Sequence, residues 1–135
     1  MKVLSVRQPW AHALLHLGKD PENRSWSTEH RGPVAIHAST RLDPAGARWA
    51  RTAGFDVDTF PRGVIVGVVD LWDVVRGHRS PWAQLDAFHW RMRDPVALLD
   101  PIPWRGTLKL VELPAAITAR IMADLAAQNR RPSTR

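Results

Sequence analysis

The sequence predicts a single α+β domain, a small mixed β-barrel of about six strands with helices at its margins. Two observations predict this fold class. Six segments of alternating or β-branched apolar residues have the length of strands, and three others begin near a proline, two of them with apolar residues at helical spacing. The 135 residues suffice for one domain with its own core, and we find no internal repeat, low-complexity tract or linker.

The first half of the chain is expected to contain three strands and two helices. These are a strand at residues 2–6, a helix at 9–17, two strands at 22–26 and 32–39 joined by a polar turn, and a helix at 44–52. Pro9 suits the start of the first helix, where a missing N–H costs nothing, and Gly18 ends that helix. In the second helix, Asp43 is the expected N-cap and Pro44 the first helical residue.

The second half carries the longest β-branched segment of the chain. We expect a strand at residues 63–75, a loop with a helical turn at 78–87, strands at 88–92 and 104–112 around a proline-rich connection, and a helix from Pro114. Gly67 indicates a bulge or a bend at a barrel corner. The folded domain is expected to span residues 1–129, and residues 130–135 to form a disordered basic tail.

Charge and composition favour a polyanionic partner. The formal net charge is +6 and the pI is about 11.2, with sixteen arginines against three lysines. Arginine binds phosphate bidentately and stacks on flat rings, whereas lysine acts as a point charge. The alternative is that a GC-rich genome raised the arginine content, and three of the arginines lie in the expected tail.

Several classes of protein are excluded by what the sequence lacks. Without cysteine, the chain has no disulfide framework, thiolate metal site or cysteine nucleophile, which fits a reducing compartment. No apolar run reaches the roughly 18 residues of a membrane span, and the first residues lack the apolar core of a signal peptide. Neither a glycine-rich phosphate loop nor a nucleophile elbow is present. We expect a cytoplasmic protein without membrane association, with a monomer as the default.

Glu22, Arg24 and Trp26 are the first candidate site residues, because side chains two apart on a strand point the same way. A nucleobase stacks on an indole for roughly 1–3 kcal/mol, while a guanidinium binds a phosphate or a carbonyl edge. The alternative is that Glu22 and Arg24 pair on a solvated face and Trp26 caps the end of the barrel.

His37 is the second candidate, since it faces away from Val34 and Ile36 and so lies outside the main core. A histidine side chain suits proton transfer or a hydrogen bond to a base edge. Equally, His37 orients Arg24 or Glu22 from a second layer. Ser39 shares its face of the strand and is included with it as a binding residue.

Four more candidates flank the first helix. Lys19 follows the helix-ending glycine, and either binds phosphate or is a cation favoured by the helix dipole. Gln8 precedes a proline, which favours an extended backbone and lets its amide face a base, and Arg7 is the neighbouring phosphate-binding residue. Trp10 is either a stacking platform or a core anchor.

The remaining charged motifs carry weaker predictions. His12 and His16 have the spacing of a helical zinc motif but lack its acidic residue, and no metal or other cofactor is expected. Asp70 and Asp73 are expected to pair with Arg62 or Arg76. Arg91 and Arg93 alternate with apolar residues, and either extend a basic groove or belong to an exposed edge strand.

Four segments together resemble a known domain: SVRQPW at residues 5–10, GKDPENRSW at 18–26, RGPVAIHAS at 31–39 and PRGVIVGVVDL at 61–71. Their order and spacing are similar to the activating-signal-cointegrator homology (ASCH) domain, a branch of the PUA-like barrels, over nearly all of residues 3–113. The resemblance implies a barrel with a cleft roofed by the first helix. The matching cleft residues are Gln8, Trp10, Lys19, Glu22, Arg24, Trp26 and His37.

The resemblance also implies a function. Some members of the superfamily bind RNA or DNA, some cleave RNA, and one bacterial group removes the acetyl group from acetylcytidine. We therefore expect the cleft to bind RNA, single-stranded DNA or a modified nucleoside. The alternative is a metal-independent hydrolase of RNA or an acylated cytidine, with Lys19 and Glu22 catalytic, although those hydrolases have threonine where this chain has Glu22. A third hypothesis is a protein-interaction adaptor without cleft chemistry.

Overall fold

The chain forms a six-stranded mixed sheet with three α-helices, and the computed structural model describes residues 1–129. The strands are β1 (Lys2–Gln8), β2 (Pro21–Arg24), β3 (Gly32–Leu42), β4 (Val64–Val75), β5 (Phe88–Pro103) and β6 (Val111–Glu112). The helices are α1 (Trp10–His16), α2 (Pro44–Thr52) and α3 (Ala115–Asn129), with a 3₁₀ helix at Val57–Thr59. The basic tail predicted at 130–135 lies outside the described residues, and the domain boundary stays a prediction.

The strands lie in the order β2-β5-β4-β3-β1-β6. β1 and β3 are parallel, whereas β3–β4, β4–β5, β2–β5 and β1–β6 are antiparallel. Within residues 1–129 the two outer strands share no hydrogen-bond ladder, so the sheet is open and the prediction of a closed barrel is wrong. The reason is that β6 covers only Lys2 and Val3 of β1, which leaves the rest of β1 without a neighbour on that side.

The open sheet nevertheless curls until its two sides approach each other. At the end of β2, Arg24 Nη2 donates a hydrogen bond to the carbonyl oxygen of Ser5 in β1, at 2.6 Å. We call the gap between β2 and β1 the seam. A polar side chain bridges the seam where a barrel would have a backbone ladder.

Several predicted elements are confirmed, because their signals are local. Asp43 caps α2 by accepting a hydrogen bond from the amide of Gly46 at 2.9 Å, and Pro44 is the first helical residue. The pairing of β4 with β5 shifts register next to Gly67, as the predicted bulge requires. A Cβ at Gly67 would lie 2.6 Å from a methyl carbon of Leu15, so the missing side chain lets α1 pack closely on β4.

Other expectations about the strands are wrong. β2 pairs with β5 instead of forming a hairpin with β3. The proline-rich connection belongs to β5, because Ala97 and Ile102 both pair with β4. Residues 98–101 between them form a bulge. Pro101 lies in this bulge, where its missing N–H costs no ladder hydrogen bond. The strand expected at 104–112 shrinks to β6, since Lys109 has a left-handed φ of 63° and residues 104–110 form a loop.

The core lies on both faces of the sheet. One cluster packs beneath α1 and the other beneath α3, which buries Ile121 against the sheet. The alternating residues of β1 and β3 divide between the clusters: Leu4, Val6, Val34 and Ile36 face α1, and Val3 and Ala35 face α3. Within residues 1–129, no helix is long and apolar enough to traverse a bilayer.

Candidate functional site

A pocket of about 1480 Å³ opens at the seam. The pocket is lined by residues of β1, β2 and β3, by Trp10 at the start of α1 and Lys19 after its end, and by Trp49 of α2. The loops at 81–84 and 104–109 complete the lining. It contains eight of the nine residues that the sequence nominates for binding: Arg7, Trp10, Lys19, Glu22, Arg24, Trp26, His37 and Ser39. The curl of the sheet therefore brings together residues that lie far apart in the sequence.

Gln8 is the nominated residue that the pocket does not include. Its side chain is 1% exposed, and both ends of its amide are used. The Nε2 donates to the carbonyl oxygen of Pro61 at 2.9 Å, and the Oε1 accepts from the amide of His12 at 2.9 Å. The prediction that Gln8 offers its amide to a base is wrong, because Gln8 joins β1, α1 and the turn before β4.

Lys19, Glu22 and Arg24 form a continuous ionic cluster that we call the polar floor of the pocket. Lys19 Nζ donates to Glu22 Oε1 at 3.2 Å and to the carbonyl oxygen of Pro21, and Arg24 Nη2 donates to Glu22 Oε2 at 3.0 Å. The side chains of Lys19 and Glu22 are only 3% and 8% exposed. Glu22 and Arg24 do pair, as the alternative has it, but their side chains are 8% and 23% exposed, so they do not lie on a solvated face.

The two cations determine the charge of Glu22. Burial alone would raise the pKa of its carboxyl, but the charges of Lys19 and Arg24 and their hydrogen bonds outweigh burial, so the pKa lies below its ordinary value. Glu22 is thus an anion at neutral pH, and each of its oxygens already accepts a hydrogen bond. A carboxylate held in this way is a weak proton acceptor.

His37 lies on β3, opposite Ser5 of the neighbouring strand β1, and lines the pocket. It is 2% exposed, and its Nδ1 is 2.9 Å from Ser5 Oγ, on the residue whose carbonyl oxygen binds Arg24. Burial lowers the pKa of His37, and the carbonyl of Trp104 opposes this shift in part. A Cβ at Gly106 would lie 2.9 Å from His37 Cε1, so the 104–109 loop packs directly on the imidazole. His37 contacts Ser5, whose carbonyl oxygen binds Arg24, and both alternatives for the role of His37 stay predictions.

Trp10, Trp49 and Trp82 form an aromatic shelf on one wall of the pocket. The rings of Trp10 and Trp49 stack with centroids 5.5 Å apart, and Trp82 meets both edge-on. Trp10 Nε1 donates to Asp43 Oδ2 at 2.9 Å, so the carboxylate that caps α2 also orients this indole. Trp10 packs against the core, as the core-anchor alternative has it, and it also lines the pocket, so its use as a stacking platform stays a prediction.

Trp26 also lines the pocket, but it lies beyond the end of β2, because the strand predicted at 22–26 ends at Arg24. Its ring meets the buried Trp90 edge-on at 4.6 Å, and its carbonyl oxygen accepts a hydrogen bond from Trp90 Nε1 at 3.0 Å. It is half-buried and lines the pocket, so the core fixes one edge of the ring and leaves part of it accessible.

Sequence reasoning missed the loops that complete the pocket. The segment that carries Trp82 is tied to the loop before β2, because Asp20 accepts hydrogen bonds from Ser80 at 2.7 Å and lies 2.7 Å from His78 Nε2. Asn23 Nδ2 also donates to the carbonyl oxygen of Trp82 at 2.9 Å. The only hint in the sequence was the tryptophan content, since five of the seven tryptophans line the pocket.

The rim of the pocket has a surplus of positive charge. Six cationic side chains but only two acidic ones line the pocket. Among the ion pairs within residues 1–129, none involves the four rim cations, which are Arg7, Arg41, Arg105 and Lys109. All four are exposed, so they are available to an anionic ligand.

The other charged motifs lie elsewhere. Asp70 pairs with Arg93 at 2.7 Å and Asp73 with Arg91 at 3.3 Å, so the expected partners Arg62 and Arg76 were wrong. Both arginines lie over Trp72 outside the pocket, and their charges are neutralised. His12 stacks on Phe60 at 4.1 Å. Residues 1–129 contain no group of three His, Asp or Glu side chains arranged to hold a metal ion.

Fold and pocket together define a small α+β protein with a cationic, tryptophan-lined cleft at the open side of a mixed sheet. The profile of the ASCH domain matches residues 4–100, and the chain belongs to the ASCH domain family. It is 28% identical to human "Activating signal cointegrator 1" over an alignment of 143 positions, and 27% identical to the mouse protein of the same name. Each alignment covers 94% of this chain, which spans about a quarter (25%) of each relative's length.

Proposed function

We propose that the protein binds nucleic acid, with phosphates at the rim cations and a base, natural or modified, above the polar floor. The observation that carries this proposal is the union of unpaired cations and indoles in one pocket. Membership of the ASCH family and the similarity to activating signal cointegrator 1 support an RNA-related role, and the fold is consistent with a PUA-like architecture.

The two halves of the pocket suit the two parts of a nucleotide. Exposed arginine and lysine side chains gain binding free energy by releasing counterions from phosphates. An indole offers a flat surface on which a base stacks, for roughly 1–3 kcal/mol per base. Arg41 lies on β3 and Arg105 in the loop after β5, so a backbone that runs across the pocket would contact both.

We propose binding instead of hydrolysis because of the state of Lys19 and Glu22. A general base has to accept a proton near neutral pH, which favours a raised carboxyl pKa. The pKa of Glu22 is lowered, and Lys19 is held by Glu22 and by a backbone carbonyl. The polar floor supplies a rigid, preorganised surface that a base rests on.

A salt titration of binding tests the proposal. Fluorescence anisotropy of a labelled single-stranded RNA, and of the same sequence as DNA, is measured from low to physiological salt. Arg41→Ala and Arg105→Ala are each expected to weaken binding and to reduce the slope of log K against log salt by about 0.7, the value for one phosphate contact on a single strand.

Arg120→Ala is the matched control. Arg120 is an exposed arginine on α3, and it does not line the pocket. The Arg120→Ala substitution is expected to change the affinity only through the loss of one positive charge far from the ligand. Absence of binding at low salt, or an equal loss in the control and the rim variants, would contradict the proposal.

A further inference from the structure

The pocket is larger than a single nucleoside requires. Sites for drug-sized molecules typically measure about 300–1,000 Å³, whereas this pocket measures about 1480 Å³. The polar floor and the aromatic shelf lie on different elements, and both line the same pocket. A base on the floor would therefore leave the shelf to another part of the ligand.

Trp49 contributes to the shelf without serving the core of its own helix. The buried residues of α2 are Gly46, Ala47 and Ala50, and they pack against Val57 and its neighbours. Trp49 is not part of that buried set, although its ring lies 6.2 Å from that of Phe55 at the edge of the cluster, and it is 38% exposed, which is unusual for the largest apolar side chain. Trp10 stacks on its ring and Trp82 meets it edge-on, and the part of the ring that stays exposed is available to a ligand.

The shelf is also held in a fixed arrangement. A Cβ at Gly46 would lie 2.7 Å from Trp10 Cζ2, so α2 packs closely beneath this indole while Asp43 fixes its Nε1. Asn23 holds the backbone of Trp82 at the other side. A stacking surface that is rigid before binding loses little conformational entropy when a base arrives.

We propose that the aromatic shelf is a second base-binding subsite, so that the ligand is a single strand of at least two nucleotides. This inference rests on the proposed function: one base lies on the polar floor, its neighbour stacks on the shelf, and rim cations such as Arg41 bind the phosphate between them. The strand is unpaired, because the faces of bases inside a duplex are already stacked and cannot reach an indole.

A series of ligand lengths tests the subsite. Affinities are measured for a nucleoside monophosphate, a dinucleotide, a trinucleotide, a hexanucleotide and a duplex, each as RNA and as DNA. The affinity is expected to rise steeply from the monophosphate to the trinucleotide, and the single strand to bind more tightly than the duplex. The RNA and DNA arms identify which strand the pocket favours.

Substitutions then assign the gain to the shelf. Trp49→Ala is expected to weaken hexanucleotide binding about 10-fold, the size of one lost stacking contact, and to weaken monophosphate binding much less. Trp49→Phe keeps a ring and is expected to restore most of the affinity. Trp72→Ala is the matched control, because Trp72 lies outside the pocket beneath two arginines.

The outcomes separate this inference from the proposed function. Binding that depends on salt but neither on length nor on Trp49 would overturn the second subsite alone. Preference for the duplex would overturn it as well. If no oligonucleotide binds at any length, both the subsite and the proposed function fail. Thermal unfolding of each variant establishes that a loss of affinity is not a loss of fold.

Discussion

Replacing Glu22 by glutamine removes the negative charge that Lys19 and Arg24 share, while it keeps the shape of the side chain. The oxygen–nitrogen distances are 3.2 and 3.0 Å, and the Lys19 side chain is 3% exposed. Removing one partner of a buried ion pair costs about 3–5 kcal/mol, because the remaining charge stays buried without compensation. The glutamine oxygen still accepts one hydrogen bond, so we expect a loss near 3 kcal/mol.

Urea unfolding at neutral pH, followed by tryptophan fluorescence, measures this loss. Asp58→Asn is the control, since Asp58 pairs with Arg51 at 3.1 Å but both side chains are at least half exposed. Such a surface pair contributes about 0–1 kcal/mol. A loss below about 1 kcal/mol for Glu22→Gln would refute the view that the polar floor is a buried and mutually dependent cluster.

A double substitution tests whether Lys19 and Glu22 stabilise the protein through each other. Lys19→Met alone leaves Glu22 with Arg24 as its only cationic partner, whereas Lys19→Met with Glu22→Gln removes both buried charges. The double variant is expected to lose less stability than the sum of the two single variants, because the buried charge of Lys19 is removed together with its partner and only Arg24 loses its carboxylate. Strict additivity of the two losses would contradict a direct coupling.

The same cluster predicts how the stability difference between the wild type and Glu22→Gln depends on pH. In the folded protein the pKa of Glu22 lies below its ordinary value of 4.5, so the folded state favours the anion. The stabilisation is complete above the unfolded pKa and is lost as pH falls through the folded pKa. The stability difference between the wild type and Glu22→Gln should therefore be constant near neutral pH and shrink below about pH 4.5. A difference that persists unchanged into strong acid would contradict the lowered pKa.

Two further substitutions test how the fold positions the site. Asp43→Ala removes the cap of α2 and the partner of Trp10 Nε1. The free energy of unfolding should fall by about 1–2 kcal/mol, and the indole fluorescence should change. Unchanged stability would contradict this double role. Gly67→Ala would place a methyl group 2.6 Å from Leu15 and 2.7 Å from the carbonyl oxygen of Val96. Overpacking of this kind costs about 1–3 kcal/mol in thermal or urea unfolding, and a stabilised variant would mean that α1 does not pack closely on β4.

Most secondary structure was predictable because its causes are local. Asp43 and Pro44 define the start of α2 whatever surrounds them, and the β-branched run of residues 64–75 favours a strand in any fold. The pairing of strands was less predictable. Alternation identifies β2 as a strand, but it carries no information about whether β3 or β5 is its neighbour.

For the candidate site, too, the sequence predicted which residues take part but not all of their contacts. The residues of the polar floor and Trp26 came from the period of a strand and from the ASCH resemblance, and they do line one pocket. Their role in binding stays a prediction. Gln8 came from the same family resemblance, through the segment at residues 5–10, yet its amide is used inside the protein by two backbone groups. A motif gives the position of a side chain along the chain and does not give its hydrogen-bond partners.

By itself, the sequence determined the family, the strands and helices, and most of the residues at the seam. Only the tertiary structure decided that the sheet stays open, that Arg24 bridges it to Ser5, and that Trp49 and Trp82 join Trp10 on one wall. The physical reason is the distance along the chain over which each interaction acts. Capping, turn and alternation preferences act between residues a few positions apart, whereas the curl of a sheet and the meeting of distant loops depend on contacts between residues far apart in the chain.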